Sequence, residues 1–125
     1  MRKWLGALPV ALALAIPAAA YAQQVGDWAL SRWRGSSEYY PGVIVARSGD
    51  KVTIKFDDGT VDTEWLSNIR PYDWTAGSAV ECRWTDGQWY SAHIRRMGSD
   101  GTSLIVRYDD DGVEQRTQTG NCRAR

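Results

Sequence analysis

The residues that usually build metal and nucleophilic sites are scarce in this sequence, which has one histidine and two cysteines among 125 residues. A lone histidine, His93, is not enough to hold zinc. No nucleophile elbow and no glycine-rich phosphate loop occurs. Asp109–Asp111 are contiguous, whereas a calcium-binding EF-hand alternates its ligands over about twelve residues, so a solvated turn is the better interpretation. We therefore expect no metal, no other cofactor and no enzymatic activity.

Neither sign of charge is in excess, because 15 basic residues stand against 15 acidic ones. Without a net positive field, the chain is not expected to attract nucleic acid or an anionic membrane. The second half is locally basic at Arg83, 95–96 and Arg107, which would suit single-stranded nucleic acid. The acidic run 109–111 offsets much of that charge, so the expected partner is a protein or peptide.

Long apolar runs are absent after the first 22 residues, but one lies within them. Two basic residues precede an apolar segment, 5–20, that ends in Ala20-Tyr21-Ala22. This order is typical of a secretory signal peptide, so we expect removal of residues 1–22 and a periplasmic or secreted product. The alternative is an uncleaved membrane anchor. Pro17 and the small-residue pattern favour cleavage, after which no stable membrane insertion is expected.

The two cysteines, Cys82 and Cys122, both lie in the part of the chain that would be exported. Small exported domains often depend on disulfides, and an even count in an oxidising compartment predicts that the two pair with each other. The alternative is a redox-active or metal-binding pair.

A unit of about 50 residues occurs twice, and an internal repeat of this kind predicts two copies of one structural unit. We assign the copies to residues 23–72 and 75–125. The join at 71–77 is short and contains proline and glycine, which favours two units that lie close together. The matching segments are 32–44 with 83–94, 54–59 with 106–112, and 68–70 with 121–123.

Apolar residues alternate with polar ones within each unit, as in Val52, Ile54 and Phe56 or Leu104, Val106 and Tyr108. A period of two predicts half-buried strands. Turn signals such as Asp-Gly interrupt the strands every 8–12 residues. Five short strands closed into a barrel would bury one face and protect the strand edges. The predicted fold is all-β, with two tandem five-stranded barrels and a single helical turn near 65–68.

The segment Val80–Ile94 resembles the opening of Tudor and agenet domains. Its Arg-Trp-Thr-Asp-Gly portion, 83–87, resembles in particular the Tudor domain of polycomb-like chromatin proteins. Residues 106–110 resemble the third strand and the following turn of the same family, and the first copy repeats these features more weakly. The resemblance implies two SH3-like barrels that bind peptides at one rim.

The resemblance also implies an open cage of aromatic side chains, which attracts a cationic group by cation–π interaction. Family cages often have a fourth aromatic residue in the turn after strand three, where this chain has acidic residues instead. A carboxylate there would favour a cation that keeps an N–H group to donate. The residues implied for the cage are Trp84, Tyr90, Tyr108 and Asp110 in the second copy, and Trp33, Tyr40, Phe56 and Asp58 in the first.

The remaining tryptophans, Trp28, Trp65, Trp74 and Trp89, are expected to pack within or between the units. The cage aromatics have an alternative interpretation too, as packing at the barrel mouth or between the copies. The alternative function that follows is a structural or adaptor protein of the cell envelope with no small ligand. An open aromatic cup would favour recognition, and buried rings would favour the adaptor.

Overall fold

The computed structural model describes residues 23–125 of the chain. The predicted signal peptide, 1–22, lies outside the described residues. Within residues 23–125, no helix has the length and apolarity needed to cross a membrane.

The first half forms a five-stranded antiparallel sheet with the strand order β4-β3-β2-β1-β5. A 3-10 turn, Leu66–Asn68, precedes β5, close to where the sequence predicts a helical turn. The strands are β1 (Trp28–Arg32), β2 (Tyr39–Ser48), β3 (Lys51–Phe56), β4 (Val61–Trp65) and β5 (Ile69–Pro71).

The second half repeats this arrangement with the strand order β10-β6-β7-β8-β9. A 3-10 turn, Thr119–Asn121, precedes β10. The long second strand of each half carries a register shift at the same relative position, between Ile44 and Ala46 and between Ile94 and Arg96. The strands are β6 (Ala79–Arg83), β7 (Trp89–Met97), β8 (Ser103–Tyr108), β9 (Glu114–Gln118) and β10 (Cys122–Arg123). The predicted all-β fold of two tandem five-stranded units is confirmed.

Strand alternation creates a separate apolar core in the first barrel. Successive residues of a strand point to opposite faces, so β3 buries every second side chain. The core consists of Ala29, Ile44, Val52, Ile54, Phe56 and Ile69, with Tyr40 and Leu66 packed against it.

The core of the second barrel extends into the first barrel and the join. Leu30 of β1 is fully buried, but it faces this second cluster rather than the core of its own barrel. Trp74, from the join, is 7% exposed and lies in the same cluster, with Tyr72 packed against it. Burying side chains of this size stabilises by about 2 kcal/mol each. The join is therefore a packed element that ties the barrels together.

A disulfide joins Cys82 to Cys122, as the sequence predicts. The two residues are direct cross-strand partners on β6 and β10. Ser31 and Ile69 are cross-strand partners at the same place in the first barrel. The disulfide therefore fixes the last strand of the second barrel covalently at a position where the first barrel has strand pairing without a covalent bond.

The residues on both sides of β10 contact the first barrel. Ala124 pairs with Tyr39 through two backbone hydrogen bonds of 2.6 and 2.8 Å. Beside it, the Thr119 hydroxyl donates to the Asp57 carboxylate at 2.5 Å. Gly120 lies so close to the first barrel that a Cβ atom would come within 2.9 Å of the Asp57 carbonyl oxygen. Backbone pairing and a close approach at glycine therefore set the position of the second barrel against the first.

Candidate functional site

The three aromatic residues predicted for the second barrel meet at its rim. Trp84 follows β6, Tyr90 lies at the start of β7, and Tyr108 ends β8. The Trp84 and Tyr90 rings stand edge-on to the Tyr108 ring, with centroid separations of 5.5 and 6.3 Å. Tyr108 is 4% exposed and forms the floor, whereas Trp84 and Tyr90 are each 37% exposed and form the walls. We call this group the rim cage.

Carboxylates surround the rim cage, which encloses about 260 Å³. Asp110 lies in its lining as predicted, and Asp86 and Asp111 join it. Asp86 accepts a 2.6 Å hydrogen bond from the Tyr90 hydroxyl. This bond lowers the pKa of Asp86 and raises the pKa of Tyr90. At neutral pH the carboxylate is therefore ionised and the phenol is neutral.

The floor of the cage is fixed by its own hydrogen bonds. The Tyr108 hydroxyl donates to the Gln115 side-chain oxygen at 2.6 Å, and it also lies 3.2 Å from the Arg83 carbonyl oxygen. Burial raises the pKa of Tyr108. A buried tyrosine normally needs such a partner for its hydroxyl. The Tyr108 ring therefore stays in place whether or not a ligand is bound.

The four residues predicted for the first barrel also come together, but in a different setting. Trp33, Tyr40, Phe56 and Asp58 line a pocket of about 410 Å³. We call it the inter-barrel pocket, because the second barrel supplies its opposite side through Arg83, Trp89, Gly120 and Asn121.

The rings of the inter-barrel pocket form a chain that crosses from one barrel to the other. Tyr40 stands edge-on to Phe56, its core neighbour, at 6.4 Å, and edge-on to Trp89 at 6.1 Å. Phe56 is 4% exposed and Trp33 is 40% exposed. The first-barrel aromatics are therefore partly used to join the two barrels, as the packing alternative anticipated.

The two sites differ most in whether basic side chains of the protein already lie over their aromatic rings. In the inter-barrel pocket, the guanidinium of Arg34 lies 5.2 Å from the Trp33 centroid, and that of Arg123 lies 4.2 Å from the Trp89 centroid. Within residues 23–125, no basic side chain lies over any of the three rim-cage rings. Of the two sites, the rim cage is therefore the one in which every aromatic ring is free of basic side chains from residues 23–125.

Arg123 belongs to an Arg–aromatic–Arg group that occurs once in each barrel, and the sequence reasoning missed it. In the first barrel, Tyr39 lies between Arg32 and Arg70, at 5.3 and 4.2 Å. In the second barrel, Trp89 lies between Arg83 and Arg123, at 5.2 and 4.2 Å. The repeated Arg positions were visible in the alignment of the two copies. Their shared aromatic neighbour was not, because each stack joins the first, second and fifth strands.

The other tryptophans follow the packing expectation with one exception. Trp28 packs edge-on against Tyr72 at 5.5 Å and covers Gly101 of the second barrel so closely that no Cβ atom would fit there. Trp74 and Trp89 are packing residues, as described above. For Trp65 the expectation was wrong: it is 55% exposed on an edge strand, with the Lys51 ammonium 4.7 Å from its ring.

His93 is exposed, as expected for a surface histidine, and lies 2.7 Å from Asp109. The pair lines a depression that also includes Arg95 and Arg107. Among residues 23–125, no group of three or more potential metal ligands is found.

Two family models match the chain, one in each half. Residues 28–70 match the family model described as the DNA repair protein Crb2 Tudor domain. Residues 77–123 match the model of the agenet domain. No curated protein sequence matches the chain significantly.

Solved structures with the same arrangement include the tandem Tudor domains of Crb2, which share 14% identity with this chain. The match covers 78% of this chain and 77% of that one, with a TM-score of 0.57. The tandem agenet domain 3-4 of ADCP1 shares 15% identity over 86% and 83% of the two chains, with a TM-score of 0.40. An agenet structure of Arabidopsis thaliana AGDP1 shares 13% identity over 86% and 85%, with a TM-score of 0.42. At these identities, the Crb2 likeness shows the fold.

Proposed function

Since this chain is a tandem Tudor- and agenet-like domain protein, we propose that it is an exported, non-enzymatic binding protein that holds a cationic side chain of a protein or peptide partner in the rim cage of its second barrel. Three aromatic faces free of internal cations, next to three carboxylates, support this proposal. A cation over such rings gains roughly 0.5–2 kcal/mol, and more when water is excluded.

The carboxylates of the rim cage favour one kind of cationic ligand over another. Both oxygens of Asp86 already accept one hydrogen bond, Oδ2 from the Tyr90 hydroxyl and Oδ1 from the Gln88 amide at 2.9 Å, but each carboxylate oxygen has a second lone pair for a further donor. Asp110 and Asp111 line the same cage, and among residues 23–125 neither forms an ion pair, although Asp111 Oδ1 accepts from the Val113 amide at 3.0 Å. A cation that keeps an N–H group forms a charge-assisted hydrogen bond with such an oxygen. We therefore expect lysine, its lower methylation states or arginine to bind better than a fully methylated ammonium.

The probes are amino acids whose α-amino and carboxyl groups are blocked and whose side chains are free. They are Nα-acetyl-lysine amide, its side-chain mono-, di- and trimethyl forms, Nα-acetyl-arginine amide and the neutral Nα-acetyl-norleucine amide. Each probe is titrated into the mature protein while the indole N–H signals are followed by NMR. The cationic probes should shift the Trp84 signal, and norleucine should not.

The variant Trp84→Ala should remain folded and lose binding of the cationic probes. The matched control is Trp65→Ala, which removes another exposed tryptophan outside the rim cage and the inter-barrel pocket and should bind as the wild type does. If Trp84→Ala binds the cationic probes with unchanged affinity, the rim cage is not the site.

Export is the second part of the proposal. It is supported by the order of residues at the N-terminus and by the disulfide, which persists in oxidising compartments. The full chain, expressed in a bacterium, should appear outside the cytoplasm with Gln23 as its first residue. Cell fractionation followed by N-terminal sequencing tests both points, and an intact N-terminus in the cytoplasmic fraction would contradict them.

A structural or adaptor role is the second candidate, and the use of Tyr40 and Trp89 in the joint between the barrels favours it. The two candidates differ at the rim cage, whose walls remain 37% exposed. A pull-down from an envelope extract with the wild type and with Trp84→Ala separates them. A partner lost with the variant supports recognition through the cage, and a partner kept by both supports the adaptor.

A further inference from the structure

Arg83 differs from its counterpart in the first barrel in one respect that bears on ligand binding. Arg32 donates a 3.2 Å hydrogen bond from Nε to the Tyr39 hydroxyl, the aromatic residue on which it stacks. Arg83 stacks on Trp89 in the same way, but tryptophan has no hydroxyl to accept a bond. Within residues 23–125, the Arg83 guanidinium has no hydrogen-bond acceptor and no carboxylate within 4.0 Å.

The unused donors of Arg83 lie in the lining of the inter-barrel pocket. Asn121 lies in the same lining, and one of its amide hydrogens is directed to Thr117 at 3.3 Å. Its second amide hydrogen is left for a ligand, because the side chain carries two. The pocket therefore holds a planar guanidinium and an amide donor next to the apolar surface of Phe56 and Trp33.

The charges around this pocket favour an anion over a cation. Arg34 and Arg123 already lie over its rings, so a ligand cation would meet occupied faces and like charge. Asp58 is the one carboxylate in the lining. Its Oδ1 already accepts from the Thr60 amide and hydroxyl, at 2.9 and 2.7 Å. These bonds already stabilise the Asp58 carboxylate within its own turn.

We propose that the inter-barrel pocket is a second binding site that takes a carboxylate attached to an apolar or aromatic group. The carboxylate pairs with the guanidinium of Arg83, whose forked donors match its two oxygens. The attached group lies against Phe56 and Trp33. At about 410 Å³, the pocket has the size of a small-ligand site.

The β6–β7 hairpin forms a wall shared by this pocket and the rim cage. Arg83 and Trp89, which are cross-strand partners, line the inter-barrel pocket, and the next residues, Trp84 and Tyr90, line the cage. One extended partner with a cationic and an acidic group can therefore contact both sites. Only this last step rests on the proposed function, because the carboxylate site stands on Arg83 and its surroundings alone.

The test uses three probes that share a phenyl ring and differ in the attached group: phenylacetate, neutral phenylacetamide and cationic phenethylammonium. Each is titrated into the mature, disulfide-bonded protein while the indole N–H and arginine Nε–H signals are followed by NMR. Phenylacetate should shift the signals of Trp33, Trp89 and Arg83 and should bind about tenfold more tightly than phenylacetamide, because a charge-assisted bond is lost with the amide.

The variant Arg83→Gln should weaken phenylacetate binding by about tenfold. The control Arg96→Gln makes the same charge change at an exposed position outside both pockets and should leave binding unchanged. The proposal is overturned by equal binding of phenylacetate and phenylacetamide, by a stronger response of Trp33 and Trp89 to phenethylammonium, or by no response of these signals to any probe.

The same titrations keep the two proposals apart. Phenethylammonium should shift Trp84 and should do so equally when phenylacetate is present. If phenylacetate binds at Arg83 while phenethylammonium leaves Trp84 unmoved, the cation cage fails and the carboxylate site stands.

Discussion

Arg123, two residues from the end of the chain, donates a 3.0 Å hydrogen bond to the hydroxyl of Tyr40, 83 positions earlier. The same guanidinium pairs with Glu81 through Nε at 2.9 Å and stacks on Trp89 at 4.2 Å. One side chain thus connects the first barrel, the second barrel and the ring chain of the inter-barrel pocket. A guanidinium can do this because its planar face and its edge bind different partners at once.

Replacing this guanidinium should destabilise the protein. Arg123→Met keeps the apolar stem but leaves Glu81, which is 7% exposed, with only Arg125 as its partner. We expect a loss of about 2 kcal/mol, below the usual cost of breaking a buried pair because that second arginine remains. Urea unfolding of the variant and the wild type measures this loss in the free energy of unfolding. The control Arg70→Met removes the stacked arginine of the first barrel, which donates to the Arg125 main-chain oxygen and to no acidic side chain among residues 23–125, and equal losses for the two variants would contradict the prediction.

Gly120 sets the distance between the barrels. Gly120→Ala places a Cβ atom 2.9 Å from the Asp57 carbonyl oxygen and 3.2 Å from the Asp58 amide nitrogen. Because backbone atoms must then move, we expect a loss of about 1–3 kcal/mol and shifted NMR signals for residues lining the inter-barrel pocket. Ser67→Ala, at the same position of the first barrel's 3-10 turn, is the control and should change stability little. A Gly120→Ala protein as stable as the wild type would show that the contact is not tight.

The disulfide should stabilise the fold and the joint between the barrels together. Cys82 and Cys122 are separated by 40 positions, so removing both as Cys82→Ala/Cys122→Ala should cost about 4 kcal/mol by the loop-entropy argument. Because Ala124 follows directly after β10, its amide, bonded to the Tyr39 carbonyl, should exchange with solvent faster. Hydrogen exchange measured by NMR checks this. Protection of that amide unchanged from the wild type would show that the joint does not depend on the disulfide.

Glu64 should make the stability depend on pH. Burial, followed by its interaction with Asp62, raises the pKa of Glu64, whereas an unfolded glutamate titrates near about 4.3. The native carboxyl therefore binds its proton more tightly than the unfolded one. Protonation of Glu64 therefore stabilises the folded protein. This contribution to the free energy of unfolding grows as the pH falls from neutral through the raised pKa, and it disappears as the pH rises above that pKa.

The variant Glu64→Gln should remove this dependence and be at least as stable as the wild type at pH 7. Its amide oxygen still accepts a bond from Asn68 or from the Arg34 amide, the present partners of the carboxylate. Thermal unfolding between pH 4 and 7 measures the effect, with the exposed Glu114→Gln as the control. If Glu64→Gln lost more stability relative to the wild type at pH 7 than near pH 4.5, the pKa of Glu64 would not be raised in the folded protein.

Much of the fold could be predicted because its causes are local. Alternation in Val52, Ile54 and Phe56 is enough to define one buried face of a strand, and Asp-Gly turns define where strands reverse. The disulfide could be predicted from the even cysteine count in a chain expected to be exported, and the structure places Cys82 and Cys122 as cross-strand partners. The membership of the two aromatic groups came instead from the resemblance to Tudor and agenet domains, which implied those residues for a cage.

The environment of those groups could not be predicted in the same way. The copies look equivalent in sequence, yet Tyr40 is covered by Trp89 and Arg123 of the other barrel, whereas Tyr90 faces solvent. The exposure of Trp65 could not be predicted either. Its size suggests burial, but it lies on β4 at the edge of the sheet and is 55% exposed. Each outcome depends on contacts between residues that are far apart in the chain.

The amino-acid sequence by itself determined the duplicated strand pattern and the cysteine pair, because these follow from side-chain period, turn chemistry and the number of cysteines. Tertiary structure alone decided that the second barrel presses Gly120 and Arg123 against the first. The reason is physical: backbone approach at a glycine and stacking of a guanidinium act over a few ångströms, and only the folded chain brings residues 83 positions apart within that range.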